Sequence, residues 1–391
     1  MIVKPKCRGF ICTTTHPLGC AKNVEDQVEY IKSQPTIDGV KRVLVLGSST
    51  GYGLASRIAA AFGMGAATIG VFFDRPGSET KPGTAGYYNN KAFEEEAKKA
   101  GLYAKSLNCD AFSHEAKQDV INLIKNDMPG GKVDLVVYSL ASPKRVDPDT
   151  GEVYNSVIKP IGSAYSSKTV DFHTGTVSDV TIEPAKEDEI PSTIAVMGGA
   201  DWLLWIQALQ NAGVLSENCL TTAFSYIGPT MTHAIYKNGT IGMAKLDLEK
   251  KAKEITELLD PIGGKAYVSV NKALVTQASS AIPVVPLYIS ILYKIMKQKG
   301  THEGCIEQIY RLYSDRLYNK SGISTDEENR IRIDDLEMMP EIQSEVDKIW
   351  NEINSENIES FSDIVGYRKE FFNLFGFERD DVDYDADVDL L

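Results

Sequence analysis

Tyr236 and Lys245 are the two residues whose types and spacing most directly suggest chemistry. They lie nine positions apart in the stretch HAIYKNGTIGMAKLDLEKK of a 391-residue chain. A hydroxyl that is supported by a nearby cation can stabilise negative charge that develops on a substrate oxygen. The pair therefore predicts a site at which an acidic hydroxyl polarises an oxygen of the substrate.

The spacing of this pair places a condition on the local structure. At roughly 100° per residue, nine steps put two side chains on opposite faces of a continuous helix. Asn238 and Gly239 form a strong turn signal between them, and Gly242 adds a second weak point. We therefore predict that the helix is broken between Tyr236 and Lys245, so that the two side chains converge. The alternative interpretation is a surface lysine and a capping tyrosine.

A glycine-rich loop lies far upstream, in the stretch VLVLGSSTGYGLASRIAAAFG at residues 43–63. Its glycines have the spacing GxxxGxG between a predicted strand and a predicted helix. Such glycines permit a tight turn, let the backbone approach a pyrophosphate, and point the helix N-terminus at the anion. We predict that the loop binds a dinucleotide rather than serving as a structural turn. The predicted contacts are Gly47, Ser48, Ser49, Thr50, Gly51, Tyr52 and Gly53.

The ends of the following strands supply further predicted cofactor contacts. Asp74 lies 21 residues beyond Gly53, where a carboxylate can accept hydrogen bonds from an adenosine ribose and would repel a 2′-phosphate. This favours NADH, although the neighbouring Arg75 could hold a phosphate. Asp110 is expected to touch the adenine ring, and its alternative role is a helix cap. The predicted contacts at these strand ends are Phe73, Asp74, Asp110, Ala111, Leu140 and Ala141.

Two other tyrosines precede a lysine by four positions, the spacing of ordinary short-chain dehydrogenases. Tyr87 and Lys91 are predicted to lie in a loop rich in glycine and asparagine that follows the second strand. Tyr293 and Lys297 lie in a late apolar helix, where tyrosine commonly packs in the core. Neither pair is therefore predicted to be catalytic.

The middle of the chain alternates between apolar β-branched runs and helical segments, which predicts a parallel sheet covered on both faces. Strands are expected at 41–47, 67–74, 103–110 and 132–141, and again in TIAVMGG, LTTAFSYIG and AYVSVNKALVTQ. We predict an α/β fold, a Rossmann-type doubly wound parallel sheet with an inserted substrate lid and a helical C-terminal extension. One enlarged domain is expected over 1–391, with a dinucleotide-binding half at 41–142, an inserted hairpin or lid at 143–190, a catalytic half at 191–280 and a mainly helical extension at 281–391.

Composition excludes several classes of protein. The chain carries 54 acidic and 41 basic side chains, a formal charge of −13. A nucleic-acid-binding protein would need a basic face, so no nucleic-acid partner is expected. The six cysteines form no CxxC pair, and no metal is predicted.

The run AIPVVPLYISILYKIM at 281–296 is the one membrane candidate. It is shorter than the ~20 apolar residues that a span requires and contains two prolines, so we expect a buried helix or pocket wall. The N-terminal stretch lacks the features of a signal peptide, and a cytoplasmic location is the default expectation. The oligomeric state is expected to be a monomer or a small homo-oligomer.

Several motifs together resemble one enzyme family. The Tyr-x8-Lys spacing, the GSSTGYG loop, the opening RGFICTTTHPLGC, and the stretches KPGTAGYYN, MGGADW and VTQASSAIP are similar to the trans-2-enoyl-CoA reductase and FabV-type enoyl-ACP reductase family. The resemblance runs over essentially the full chain and is strongest to bacterial, clostridial-type trans-2-enoyl-CoA reductases. It implies NADH-dependent saturation of a trans-2-enoyl thioester, such as crotonyl-CoA to butyryl-CoA, on a Rossmann-type fold with an enlarged substrate lid.

The resemblance also implies roles for single residues. Tyr236 would be the proton donor, Lys245 would support the cofactor and lower the tyrosine pKa, and Tyr226 would help to bind the thioester carbonyl. A further segment would contact the nicotinamide, namely Leu274, Val275 and Thr276. NADH alone would serve as cofactor, without flavin or metal. Many relatives carry glutamate at the position of Asp74, which leaves ribose recognition intact but puts the cofactor preference in question.

Three alternatives remain on sequence alone. The acyl-carrier-protein version of the same chemistry needs a basic patch, and Lys144 and Arg145 could serve either that protein or the phosphates of CoA. A carbonyl-reducing dehydrogenase is disfavoured because neither YxxxK pair lies where that family needs it. A non-catalytic NAD-sensing protein would need the glycine loop but not the Tyr–Lys pair.

Overall fold

A computed structural model of the protein describes residues 1–391. The strands are β1 (Cys7–Arg8), β2 (Ile11–Cys12), β3 (Arg42–Leu46), β4 (Ala67–Phe72), β5 (Ala104–Asn108), β6 (Val133–Tyr138), β7 (Lys144–Val146), β8 (Val153–Asn155), β9 (Tyr165–Asp171), β10 (Thr176–Ile182), β11 (Leu215–Ser225), β12 (Lys265–Val270) and β13 (Arg330–Arg332). The helices are α1 (Pro17–Ser33), α2 (Gly51–Ile58), α3 (Ala85–Lys99), α4 (His114–Asn126), α5 (Glu189–Met197), α6 (Ala200–Asn211), α7 (Thr240–Leu259), α8 (Gln277–Ser280), α9 (Val285–Lys299), α10 (Cys305–Arg311), α11 (Pro340–Glu352), α12 (Ile358–Phe361) and α13 (Ile364–Asn373).

A seven-stranded parallel sheet forms the centre of the molecule, with the strand order β13-β12-β11-β6-β3-β4-β5. The chain moves outward from β3 through β4 to β5, and then returns to the other side of β3 through β6 and β11. The order therefore reverses between β3 and β6. In open parallel sheets a ligand crevice lies at the carboxyl ends of the strands at such a point.

Both faces of the sheet are buried, which explains the continuous apolar runs in its strands. Successive side chains of a strand point to opposite faces. Val43 and Val45 accordingly pack into one core with α1, α2, α3 and α10, whereas Leu44 and Leu46 pack into a second core with α4, α6 and α7. The predicted doubly wound α/β architecture is confirmed.

The segment at 143–190 leaves the sheet and forms two antiparallel hairpins, β7–β8 and β9–β10. It contacts the start of α7, where the Thr240 hydroxyl donates to the carbonyl oxygen of Val157 and the Thr240 N–H donates to that of Lys159. The β9–β10 hairpin also packs against α9. The predicted insertion is therefore present, as a pair of hairpins.

The C-terminal part surrounds α9, which is the predicted buried helix. Its residues from Val285 to Tyr293 are all buried, in a third core shared with α11 and α13. No helix of the protein combines the length and the apolar character needed to cross a membrane. This part is helical as predicted, except that Arg330–Arg332 adds β13 as the edge strand of the main sheet, parallel to β12.

Three local predictions were wrong. TIAVMGG forms the end of helix α5, because Pro191 suits the first helical turn and Gly198 ends the helix, which overrides the β-branched residues. Tyr87 was predicted to lie in a loop, but it lies inside helix α3, which begins at Ala85. Only the first half of AYVSVNKALVTQ is strand, since β12 ends at Val270.

Candidate active site

The glycine loop joins β3 to α2 at the point where the strand order reverses. Gly47 has φ +83° and Gly51 has φ +53°, conformations that side chains other than glycine rarely adopt. A Cβ at Gly53 would stand 1.8 Å from the carbonyl oxygen of Gly47. Thr50 precedes α2 in an extended conformation, and its side chain does not cap the helix. The free N–H groups of the first turn are therefore available to an anion.

A cavity of about 840 Å³ opens beside this loop at the carboxyl edge of the sheet. Nine of the predicted cofactor residues line it, and they come from the ends of four neighbouring strands. These are Gly47, Ser49, Thr50, Phe73, Asp74, Asp110, Ala111, Leu140 and Ala141. The cavity has the size and the strand-end position of a cofactor site.

Asp74 is held by hydroxyl groups at the floor of this cavity. Ser49 Oγ donates to Asp74 Oδ2 and Thr84 Oγ1 donates to Asp74 Oδ1, both at 2.7 Å. The backbone of Asp74 is fixed by Asn108, whose side-chain amide donates to its carbonyl oxygen at 2.7 Å and accepts from its N–H at 2.9 Å. The carboxylate is thus oriented before any ligand arrives, and it lies directly beside the glycine loop.

Asp110 is not the cap of the helix that follows it. Its Oδ1 accepts from the N–H of Phe112 at 3.0 Å, whereas Ser113 caps α4 by accepting from the N–H of Ala116. The alternative interpretation of Asp110 is therefore wrong. Its side chain shapes the tight turn at the cavity wall.

Apolar side chains surround the mouth of the cavity. Phe73 is 78% exposed, and Phe10 and Ile11 are about half exposed, although all three line the cavity. Phe10 and Ile11 belong to the β1–β2 hairpin, whose tip is held by a hydrogen bond between His173 Nε2 and the carbonyl oxygen of Gly9 at 2.8 Å. Exposed apolar rings beside a strand-end cavity suit the faces of an adenine base.

Four predicted loop residues do not line the cavity. Ser48 is buried, and its hydroxyl donates to the carbonyl oxygen of Val71. Tyr52 points beneath the loop, where its hydroxyl donates to the carbonyl oxygen of Lys272 at 2.9 Å and its ring packs near Phe224. Gly51 and Gly53 act through backbone shape.

Tyr236 and Lys245 lie on different elements, as their spacing predicts. Tyr236 lies in a run of turns, whereas Lys245 lies in the second turn of α7, which begins at Thr240. The chain between them is packed too tightly for larger residues. A Cβ at Gly242 would stand 1.8 Å from the carbonyl oxygen of Lys237, and one at Gly239 would stand 2.6 Å from that of Ile235. The predicted break of the helix is confirmed.

The two side chains converge on the carboxyl end of β11. Lys245 Nζ donates to the carbonyl oxygen of Phe224 at 3.0 Å. The Tyr236 ring packs edge-on against the Tyr226 ring, with centroids 4.9 Å apart. Because Phe224 and Tyr226 are two residues apart at the end of one strand, the ammonium and the phenol lie at the same edge of the sheet as the cavity.

The electrostatics of the pair differ from the sequence-based prediction. The Tyr236 hydroxyl forms no hydrogen bond with another residue, and burial raises the pKa of Tyr236 to about 12. Burial also lowers the pKa of Lys245 to about 8, an effect that the charge of Glu249 opposes. The ammonium is bonded to a backbone carbonyl and not to the phenol, and the pKa of Tyr236 is raised by burial, opposite to the predicted lowering. The tyrosine therefore keeps its proton at neutral pH.

Tyr226 belongs to a buried network centred on Glu337. Its hydroxyl donates to Glu337 Oε1 at 3.1 Å, and the Tyr288 hydroxyl donates to the same oxygen at 2.6 Å. The other carboxylate oxygen accepts from the N–H of Ala273 at 2.7 Å. The ring that packs on Tyr236 is therefore positioned by a residue from the far end of the chain.

The segment after β12 leads from this network to the cavity. Leu274 and Val275 are buried, and the N–H of Val275 donates to the hydroxyl of Tyr293 at 3.0 Å. Thr276 caps the short helix α8, and the next residue, Gln277, lines the cavity. The three predicted residues thus lie beside the cavity wall.

Several site residues were missed by sequence reasoning. Thr84 carried a usable signal, because it lies in the quoted motif KPGTAGYYN. The hairpin residues Phe10, Ile11 and Cys12 carried the same signal, because they lie in the quoted motif RGFICTTTHPLGC. Glu337 carried none, since it approaches the site only through pairing of distant parts of the chain. The missed residues are Phe10, Ile11, Cys12, Thr84, Phe112, Ser139, Gln277 and Glu337. No three His, Cys, Asp or Glu side chains lie close enough together to hold a metal ion.

Three family models match successive parts of the chain. The model described as the NAD(P)H binding domain of trans-2-enoyl-CoA reductase matches residues 2–79, and the one described as the trans-2-enoyl-CoA reductase catalytic region matches residues 81–318. A third, described as the enoyl reductase FAD binding domain, matches residues 325–388. Those residues form β13 and α11 to α13, and the apolar side chains of the three helices pack in the third core. The name of that model alone does not show a flavin site.

Full-length relatives agree with these matches. The trans-2-enoyl-CoA reductase (NADH) of Ruminiclostridium cellulolyticum is 64% identical over 390 residues, which cover 100% of this chain and 98% of that protein. The enoyl-acyl-carrier-protein reductase (NADH) of Cytophaga hutchinsonii is 61% identical over 388 residues, which cover 99% and 98%.

Two crystal structures of relatives superpose closely on the fold. The Clostridium acetobutulicum trans-2-enoyl-CoA reductase in complex with NADH matches with a TM-score of 0.97 and 48% identity, over 100% of this chain and 98% of that chain. The Treponema denticola trans-2-enoyl-CoA reductase in complex with NAD matches with a TM-score of 0.95 and 52% identity, over 99% and 98%. By its matched catalytic region and these full-length relatives, the chain belongs to the trans-2-enoyl-CoA reductase family.

Proposed function

We propose that the protein is an NADH-dependent enoyl-thioester reductase that saturates the C2=C3 double bond of a trans-2-enoyl-CoA. The observation that carries this proposal is the unbonded hydroxyl of Tyr236, whose ring packs against Tyr226 at the carboxyl end of β11, where Lys245 is also bonded to the backbone. The relatives named above for NADH and for enoyl thioesters support the same reaction.

The residues of the cavity fit NADH. The close approach of Gly53 to Gly47 leaves room only for backbone, and the first turn of α2 offers N–H groups to a pyrophosphate. Asp74 is oriented to accept hydrogen bonds from an adenosine ribose, and Phe73 offers its face to an adenine. The full proposed set is Gly47, Ser48, Ser49, Thr50, Gly51, Tyr52, Gly53, Phe73, Asp74, Asp110, Ala111, Leu140, Ala141, Lys245, Leu274, Val275 and Thr276.

When bound, NADH supplies the hydride that is added to C3 of the substrate. Tyr236 donates a hydrogen bond to the thioester oxygen as that oxygen gains enolate charge, which stabilises the transition state. Because burial raises the pKa of Tyr236, its hydroxyl stays protonated and can donate to the thioester oxygen as negative charge develops there. Protonation at C2 completes the saturation, with Tyr236 as the proposed source of the proton. Lys245, as an ammonium, holds the ribose next to the nicotinamide.

The insertion and the extension serve the same site in this proposal. The hairpins at 143–190 are tied to the start of α7 and act as the lid over the thioester. The extension contributes α9 and the strand β13, so the chain works as one domain over 1–391.

The carrier of the acyl chain is proposed to be CoA. The reductase of Cytophaga hutchinsonii, named for acyl-carrier protein, makes that carrier the second candidate. Lys144 lines the cavity and is exposed, so it can meet a phosphate. Arg145 is buried and donates to the carbonyl oxygen of Ala195, so it does not contribute to a basic patch.

The direct test measures NADH oxidation with crotonyl-CoA, with crotonyl-acyl-carrier protein and NADPH run alongside. Tyr236→Phe is expected to lower kcat by about 100-fold to about 10,000-fold, the range for loss of a general acid, while the Kd for NADH stays nearly unchanged. Tyr310→Phe is the matched control, because Tyr310 bonds only to the carbonyl oxygen of Pro35.

Each outcome of that test has a defined meaning. Full activity of Tyr236→Phe would contradict the assignment of the catalytic tyrosine. Turnover with the carrier-protein ester alone would move the reaction to fatty-acid synthesis. NADH binding without oxidation by any thioester would favour a non-catalytic NAD-sensing protein.

A further inference from the structure

Glu337 is a buried carboxylate that the proposed reaction does not yet use. It lies on the loop between β13 and α11, with no exposed surface. Because β13 runs parallel to β12, the loop that follows it emerges at the carboxyl edge of the sheet, next to Ala273. The N–H groups of Ile333 and Asp334 both donate to the carbonyl oxygen of Val270, which fixes the loop there.

The contacts of Glu337 are those of a hydrogen-bond acceptor. Two phenols donate to Oε1, from Tyr226 at 3.1 Å and from Tyr288 at 2.6 Å, and the N–H of Ala273 donates to Oε2 at 2.7 Å. The pKa of Glu337 is raised by burial and by the charge of Asp334, while the charge of Lys272 and the hydrogen bonds from Tyr288 and the N–H of Ala273 oppose that rise. Three donors converge on one carboxyl group, so its two oxygens act as hydrogen-bond acceptors in this network.

The network distinguishes the two tyrosines at the end of β11. A phenol has one proton to donate. Tyr226 gives its proton to Glu337, whereas the Tyr236 hydroxyl has no partner in the protein. The two rings pack edge to face, with centroids 4.9 Å apart, so a movement of Tyr226 would displace Tyr236. Glu337 therefore sets the place of a ring that in turn sets the place of the proton donor.

We propose that Glu337 is a positioning residue for the reduction, which acts by holding Tyr226 against Tyr236. The inference rests on the proposed function and deepens it. Tyr226 serves as a buttress that orients the neighbouring phenol, and Tyr236 is the hydroxyl whose proton is free for the substrate oxygen. The same carboxylate also fixes the start of the segment that leads to Thr276 and the cavity.

The first test is Glu337→Gln, which preserves shape and removes the charge. The single amide oxygen of glutamine can accept either from the two phenols or from the N–H of Ala273. The amide NH2 group, itself a donor, is then directed at the remaining donor. A displacement of about 1 Å at a reacting group costs about 100-fold, so kcat/KM for crotonyl-CoA is expected to fall by about that factor. The fall is expected in kcat, while the Kd for NADH stays within about threefold, because Glu337 does not line the cavity.

A double-mutant comparison separates positioning from a general structural role. If Glu337 acts through Tyr226, the variant Tyr226→Phe/Glu337→Gln should be no slower than Tyr226→Phe alone. Effects that multiply in the double variant would overturn the proposal, and so would a Glu337→Gln enzyme with wild-type kcat/KM.

Two further variants keep the test decisive. Asp334→Asn is the matched control, because Asp334 is a buried carboxylate of the same loop whose side chain pairs with Arg332 and not with the tyrosines. It should retain kcat. If Glu337→Gln fails to fold, Glu337→Asp keeps the charge but shortens its reach, and is expected to lose turnover while binding NADH. Wild-type turnover of Glu337→Asp would then refute the proposal, whereas an inactive wild-type protein would refute the reductase function itself.

Discussion

Gly53 provides a direct test of how closely the glycine loop is fitted. A methyl group at this position would stand 1.8 Å from the carbonyl oxygen of Gly47 and 3.2 Å from Ser139 Oγ. Carbon atoms of this kind essentially never approach closer than 3.0 Å, so the loop would have to retreat by at least about 1.2 Å. A shift of about 1 Å in a positioned group costs about 100-fold, which corresponds to about 2.7 kcal/mol of binding free energy. We therefore expect Gly53→Ala to raise the Kd for NADH by about 100-fold.

The assay is a titration of NADH fluorescence, with urea unfolding measured in parallel. Overpacking costs about 1–3 kcal/mol, so the free energy of unfolding is expected to fall by that amount while the fold persists. Gly63→Ala is the matched control, because its methyl group would meet Ile31 and Ile37 at ordinary contact distances of 3.4 and 3.5 Å. A Gly53→Ala protein that binds NADH within about threefold of wild type would refute the reasoning.

Two further predictions concern cofactor choice and pH. Asp74→Asn removes the negative charge of the carboxylate that accepts from Ser49 and Thr84. The ratio of kcat/KM for NADPH to that for NADH should therefore rise by at least about tenfold. An unchanged ratio would show that Asp74 does not discriminate between the two cofactors at the adenosine ribose. The pKa of Lys245 is lowered to about 8, so the ammonium is present below that pH and is lost above it; kcat/KM for NADH should fall as the pH rises through about 8. Lys245→Arg keeps its positive charge at this pH, so this decrease in kcat/KM should disappear in the variant. If kcat/KM of Lys245→Arg still falls above about pH 8, the decrease is caused by another titrating group.

Local patterns were sufficient for the centre of the sheet. The apolar runs of β3, β4 and β6 predicted buried parallel strands because both of their faces are covered, and the glycine loop could be placed between a strand and a helix. The break between Tyr236 and Lys245 was also predictable, since Asn238, Gly239 and Gly242 act on their own neighbours.

Contacts between distant parts of the chain were not predictable in this way. The three residues of β13 have no strand pattern of their own and pair only because β12 leaves an edge open. Glu337 has an unremarkable sequence context, and its role depends on where β13 delivers it. The pKa of Tyr236 likewise depends on burial, which a sequence pattern does not report, so its predicted lowering by Lys245 was wrong.

The edge strand β13 has a consequence for how members of this family can be recombined. The matched catalytic region ends at residue 318 and the next matched region begins at 325, which suggests a seam suitable for exchanging C-terminal parts between relatives. The seam is not physical, because residues 330–332 complete the sheet and Glu337 meets Tyr226 just beyond them. A chimera joined there would combine β13 and Glu337 from one relative with β12 and Tyr226 from another. The smallest part that can be exchanged intact is therefore the whole seven-stranded sheet, including β13. The boundaries between the matched sequence regions do not coincide with the structural boundaries of the fold.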